Sequence, residues 1–190
     1  RLAIIAAELL AVWILGYAAL LVDAIASIFD VVSSLAIVMA IRLAARPPDE
    51  DHPFGHGRYE PLAGLQLGIV VALAGIWLAT SHAIGAWQAP AAGEVKAWAW
   101  LIPALSALLL ELTARIVRRV GQRERSTALT AEAKHYRVDA ITSVVAAVGL
   151  LFAARLPEFG HRIDWLSAAL LAVIMVGLGT MAARENLHQL

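Results

Sequence analysis

Three groups of residues in this chain are of types and spacings that could do chemistry. The first is the run PPDEDHPFGHGR at residues 47–58, which places Asp49, Asp51, His52 and His56 within eight residues. Pro47, Pro48 and Pro53 break helix there, while Gly55 and Gly57 permit tight turns. Two imidazoles and a carboxylate so close together suit a small zinc-type site. The plainer reading is a polar loop that happens to hold two histidines. The second group is His135 and Asp139, four residues apart and so stacked on one face of a helix. The third is Asp23 and Asp30, seven residues apart; at about 100° per residue they too share a face, with Ala26 and Ser27 between them. These last two carboxylates interrupt an otherwise apolar segment. Carboxylates at membrane depth are costly and are therefore functional candidates by default.

An imidazole–carboxylate pair from one helix that meets a carboxylate from another supplies three ligands to one divalent ion. Asp30, His135 and Asp139 form such a set. The competing readings are an outer-interface position for Asp23, and a helix-end ion pair of Asp139 with Arg137 or Arg118. A matching Asp30 in a separate apolar helix favours the metal. Glu111, one turn before Arg115, is explained by an i, i+4 ion pair. The chain has no cysteine, so every metal site must be built from oxygen and imidazole.

The elements that must position these groups are membrane helices. Of 190 residues, 61% are hydrophobic and only 16% charged, with a mean hydropathy of +0.74. Formal net charge is +0, which points to no nucleic-acid partner. Six apolar segments stand out at about 2–15, 19–43, 61–87, 97–120, 127–154 and 163–184. Five are long enough to span hydrocarbon, for which roughly 20 residues are needed. The shorter Leu2–Leu15 is read as a first helix lacking its start. A signal peptide fits less well, because Glu8 interrupts the run and no small-residue cleavage site follows. The short connection Gly16–Ala18 predicts an antiparallel hairpin of the first two helices. Small residues recur at Gly64, Gly68, Ala72 and Gly75 and at Gly177 and Gly179, which suits close helix packing in lipid. The expected fold class is an all-α membrane protein, a bundle of six transmembrane helices.

Basic residues sort by loop. Arg42, Arg46 and Arg58 lie between the second and third segments; Arg115, Arg118, Arg119, Arg123 and Arg125 lie between the fourth and fifth. The opposite loops are poor, with Lys96 alone and Arg155 and Arg162 offset by Glu158 and Asp164. The positive-inside rule puts both basic loops, and both termini, in the cytoplasm. Trp87, Trp98, Trp100 and Trp165 cluster at the opposite ends as interfacial anchors.

With these residues in place the chain resembles the cation diffusion facilitator family of metal/proton antiporters. The stretch VDAIASIFDVVSSLAIVMAIRLAARPPDEDHPFGHGRYEPLAGL is similar to that family's second helix and following loop. AEAKHYRVDAITSVVAAVG is similar to its HxxxD helix, and the likeness covers essentially the whole chain as the six-helix membrane part. The resemblance implies a tetrahedral intramembrane site of two residues from helix two and the HxxxD pair. Asp30, His135 and Asp139 match it. Ala26 stands where the family normally has Asp or His, so water, Asp23 as an accessory group, or another donor would complete the shell. Asp49, His52 and His56 fall where bacterial zinc antiporters of the family carry a second, loop-borne site. Family members usually continue into a soluble, metal-binding, dimerising domain. The chain stops at RENLHQL, so that domain is expected to be absent, while a homodimer is expected by resemblance.

The function implied is efflux of a divalent cation across the inner (plasma) membrane, Zn²⁺ foremost with Mn²⁺, Fe²⁺ and Cd²⁺ as further cargoes, in exchange for protons. It is a secondary transporter and not an enzyme, with no cofactor beyond the cation. His135 and the carboxylates bind metal only when deprotonated, so binding releases protons, and imidazole, with an ordinary pKa of about 6.5, is suited to that exchange. A second reading, favoured by Ala26, is a non-transporting paralogue acting as a partner or metal-sensing scaffold. An intramembrane metallohydrolase is disfavoured, since the chain has no HExxH.

Overall fold

The computed structural model describes residues 2–49, 52–88, 94–124 and 127–188; Asp51 and Arg125 lie outside the described residues. Among the described residues the chain forms six helices and no strand: α1 (Leu2–Leu15), α2 (Ala18–Ala44), α3 (Tyr59–Gln88), α4 (Leu101–Arg123), α5 (Thr127–Arg155) and α6 (Gly160–Leu187). The fold class read from the sequence is thus the observed one. Pro61 and Pro103 each occupy the third residue of a helix, in the first turn, where a missing N–H breaks no helical bond. Residues 97–100 form a turn instead of the first turn of α4, whose helix begins at Leu101.

Four helices, α2, α3, α5 and α6, are long and apolar enough to cross a membrane. α4 is also 23 residues long, but Glu111, Arg115 and the arginines beyond dilute its apolar run. The bundle also distributes its side chains as a membrane protein does. Alanines dominate the interior, with Ala19, Ala24, Ala146, Ala153, Ala168 and Ala172 fully buried. Large apolar side chains such as Leu35, Leu73, Trp77 and Ile116 face outward, each 60% exposed or more. In water such a surface would be an aggregation liability; against lipid it carries no penalty, and small residues drive helix association instead.

That association is tightest between the antiparallel α3 and α6. A Cβ placed on Gly68 would sit 2.5 Å from the backbone nitrogen of Ala183, and one on Gly179 would sit 2.6 Å from that of Ala72. Only glycine lets these backbones approach so closely. α2 packs against α1, α3, α5 and α6, and is therefore the element around which the interior is arranged. Its N-terminus is tied down by a residue distant in sequence: the backbone N–H groups of Ala18 and Ala19 donate to the buried Asp164 carboxylate on α6 at 2.8 and 3.0 Å. The carboxylate satisfies two otherwise orphaned donors and sits at the positive end of the α2 dipole. The Tyr17 hydroxyl accepts from the backbone N–H of Lys96 at 2.8 Å, fastening the same end to the chain leading into α4.

Candidate metal centres

The loop site is built locally. α2 ends at Ala44 and α3 begins at Tyr59, and the connection between them folds back on itself through turns. The Gly55 N–H donates to the His52 carbonyl at 2.9 Å, and the Tyr59 N–H to the His56 carbonyl at 3.0 Å. The His52 N–H donates to Asp49 Oδ1 at 2.7 Å, while His52 Nδ1 lies 3.1 Å from the same oxygen. His56 Nε2 lies 3.4 Å from Asp49 Oδ2. The two imidazoles face each other with centroids 4.5 Å apart, and Tyr59 stacks on His56 at 5.6 Å. The backbone N–H of His52, followed by the neighbouring imidazoles, holds the Asp49 carboxyl below its ordinary range. His56 is buried and its Nδ1 has no hydrogen-bond partner, whereas Asp49 and His52 are half-exposed.

Among the described residues, Asp49, His52 and His56 are the one group of three or more His, Asp or Glu whose ligand atoms all lie within 4.8 Å of one another. Two nitrogens and a carboxylate oxygen at that separation can close on a single tetrahedral ion with one position left open.

The intramembrane set is built from distant parts of the chain. A cavity of about 400 Å³ is bordered by Asp23, Ala26 and Asp30 of α2, by Lys134, His135 and Asp139 of α5, and by the small residues of α3 and α6. Its floor is formed by Asp23, Val71 and Leu171; its rim holds Lys134, Glu185 and Asn186, at the end of the bundle where α2 ends, α3 begins and the Asp49–His56 loop lies. Asp30, His135 and Asp139 thus border one cavity. They do not draw their ligand atoms within 4.8 Å of one another here. Ala26 lies on the same wall, where its methyl group leaves room and offers no donor.

The competing ion-pair reading of the fifth helix is narrowed by Glu111. Arg115 Nε donates to its Oε1 at 2.8 Å, as the spacing predicts, and Arg137 Nε lies 3.4 Å from its Oε2. Arg137 is therefore engaged by α4 and not only by its own helix.

Two polar groups of the interior escaped functional reading in the sequence. Glu8 was visible only as an interruption of an apolar run, yet it is fully buried beside Asp23. Asp164 passed for a loop charge and instead caps α2. The signal for Glu8 was its distance from Gly16, nearly equal to that of Asp23 on the other side of the hairpin. Nothing in the sequence linked Asp164 to Ala18.

An all-α bundle with four long apolar helices and large apolar side chains facing outward defines an integral membrane protein. Comparison with known proteins gives the family. The cation efflux transmembrane domain matches residues 1–190, and the chain belongs to that family, the cation diffusion facilitators. It is 33% identical over 172 residues to an uncharacterised transporter of Methanocaldococcus jannaschii, covering 86% of this chain and 57% of that protein. It is 31% identical over 136 residues to the manganese efflux system protein MneP of Bacillus subtilis, covering 71% and 45%. It is 30% identical over 141 residues to the cation-efflux pump FieF of Pectobacterium carotovorum, covering 73% and 46%. The chain thus spans about half the length of the curated relatives it matches.

Proposed function

We propose that this chain moves divalent metal cations out of the cytoplasm in exchange for protons, by alternating access, with Asp30, His135 and Asp139 as the ligands of the transported ion. The observation that carries the reading is the cavity that these three residues share, open toward the end of the bundle that holds the basic loops. In that arrangement metal enters from the cytoplasmic side, loses part of its hydration shell to two carboxylates and an imidazole, and displaces the protons they hold. Exposure to the far side then lets protons compete the ion off. A closer approach of α2 and α5 than the one described here would grip the ion. Water, admitted by Ala26, fills the remaining positions.

Asp23 is left outside this shell. It stands two turns from Asp30 along α2, about 10 Å at 1.5 Å per residue, too far for both carboxylates to reach one ion from the same helix. With two carboxylates, one imidazole and water, the donor set accepts Zn²⁺ and equally the harder Mn²⁺. The relative named for manganese efflux supports testing both. The loop triad Asp49, His52 and His56 is proposed as a second cation site near the cytoplasmic mouth, and a homodimer in the plasma membrane with both termini cytoplasmic as the working assembly.

The test is metal uptake into proteoliposomes under a pH gradient, read by an internal fluorescent chelator for Zn²⁺ and for Mn²⁺. Flux that depends on the gradient and vanishes in Asp30→Ala and Asp139→Ala is the expected result. Unchanged flux in both variants would overturn the site. Loop binding without any flux in the parent chain would favour the metal-sensing scaffold that Ala26 suggests.

A further inference from the structure

The α1–α2 hairpin closes at Gly16, which takes a φ of 69°. Glu8 lies eight residues before that glycine and Asp23 seven after it, so the two stand at the same depth, about 10–12 Å from the turn. Glu8 is 0% exposed and Asp23 2%. They lie close enough to interact electrostatically. Both Glu8 carboxyl oxygens and Asp23 Oδ2 are without a hydrogen-bond partner.

The groups around them are hydroxyls: Ser106 of α4 beside Glu8, and Ser143 and Thr142 of α5 beside Asp23. Thr142 Oγ1 already donates its single hydrogen to the Asp139 carbonyl at 2.8 Å. Toward Asp23 it is a neutral hydroxyl, which can hydrogen-bond the carboxyl but brings no positive charge to balance a carboxylate. Among the described residues, no lysine, arginine or histidine acts on either carboxyl. Several other titratable groups on the packed helices have partners of their own. Glu111 of α4 is held by Arg115 and Arg137. Asp164 of α6 receives Ala18 and Ala19, and His82 of α3 bonds the Leu78 carbonyl. Asp30 and Asp139 face the cavity.

Two adjacent carboxylates shut away from water cannot both stay charged without a cation. A metal ion would need space and further donors, whereas a proton needs neither. We propose that Glu8 and Asp23 form a proton-holding carboxyl pair, a second cation site of the transport cycle lying beyond the floor of the metal cavity and outside the metal shell. The pair takes one proton from water on the far side of the membrane and yields it to cavity water across Asp23, which borders that floor. Thr142 ties the pair to the turn of α5 that carries Asp139, so the state of the proton bears on the metal ligand. The role in transport rests on the exchange reading above; the shared proton does not.

Infrared difference spectroscopy of the lipid-reconstituted chain across a pH ramp tests the pair directly. The parent chain is expected to show the carbonyl stretch of a buried, protonated carboxylic acid, lost or displaced in both Glu8→Gln and Asp23→Asn. Because glutamine mimics the neutral acid, Glu8→Gln should keep its helical signal and melting temperature. It should also bind metal within about twofold of the parent while losing about tenfold or more of the gradient-driven flux, the mark of lost proton linkage. An absent band, a band that survives both substitutions, or a collapse of Glu8→Gln on neutralisation overturns the pair. A lost band with undiminished gradient-driven flux overturns its part in transport. A band removed by both substitutions in a chain that moves no metal under a gradient leaves the pair standing and sinks the exchange reading instead.

Discussion

The loop triad and the intramembrane set use the same chemistry, carboxylate with imidazole, and differ in how the fold assembles them. Asp49, His52 and His56 come from one turn-rich stretch, and their ligand atoms are already within 4.8 Å of one another. Asp30, His135 and Asp139 come from helices more than a hundred residues apart in sequence and border a common cavity without closing on a point. A site held by local turns can stay formed whatever the bundle does. A site divided between α2 and α5 depends on the separation of the two helices, which is what the proposed carrier needs and a storage site does not. Release then costs only a helix movement, and no ligand has to be torn from a rigid cage.

The comparison can be broken most forcefully at the ligands. Asp139→Ala should abolish flux, by more than the roughly 10–100-fold that losing a supporting hydrogen bond costs a metal site. His52→Ala should empty the loop site in calorimetry and leave flux within a few-fold of the parent, as about 1 kcal/mol or less of change in the barrier would. Equal losses from the two would erase the distinction.

Acidification should separate the regions next. Loop affinity depends on two imidazoles, while Asp49, held below the ordinary carboxylate range chiefly by the His52 N–H, stays ionised as pH falls. Binding there should therefore weaken on acidification with a limiting slope of about a hundredfold per pH unit, one proton for each imidazole ligand. Isothermal titration at a series of falling pH values checks it; a one-proton slope would mean that one imidazole is not a ligand.

Ala26→Asp sharpens the comparison from the other side. It adds a fourth donor to the cavity wall one turn from Asp30, and should tighten intramembrane binding by about tenfold or more with loop affinity unchanged. The smallest effect is expected at Asp164→Asn. Weakening the cap on α2 should cost about 1–2 kcal/mol, a few degrees of melting temperature for a chain of this size. Metal binding by the intramembrane set should suffer with it and the loop triad should not.

Much of this was legible in the residues. Six apolar runs gave six helices because uninterrupted Leu, Val, Ile and Ala satisfy their backbones only as helix in lipid. The HPFGHGR stretch announced a cluster because prolines and glycines force a short chain back on itself. The fourth segment was read as starting too early, since residues 97–100 form a turn before the helix begins at Leu101. Glu8 was read only as a blemish, since a lone carboxylate in an apolar run says nothing of what faces it.

By itself the sequence determined the helices, the polar residues inside them and the loop triad, all of which depend on neighbours within a few residues. The tertiary structure alone decided that Asp30 borders the same cavity as His135 and Asp139, that Asp164 caps a helix begun far earlier in the chain, and that Glu8 meets Asp23. The physical reason is that periodicity tells each helix which face to bury, whereas the partner it finds is set by which backbones can approach. Here that is decided at places such as Gly68 and Gly179, where the absence of a Cβ lets two helices touch.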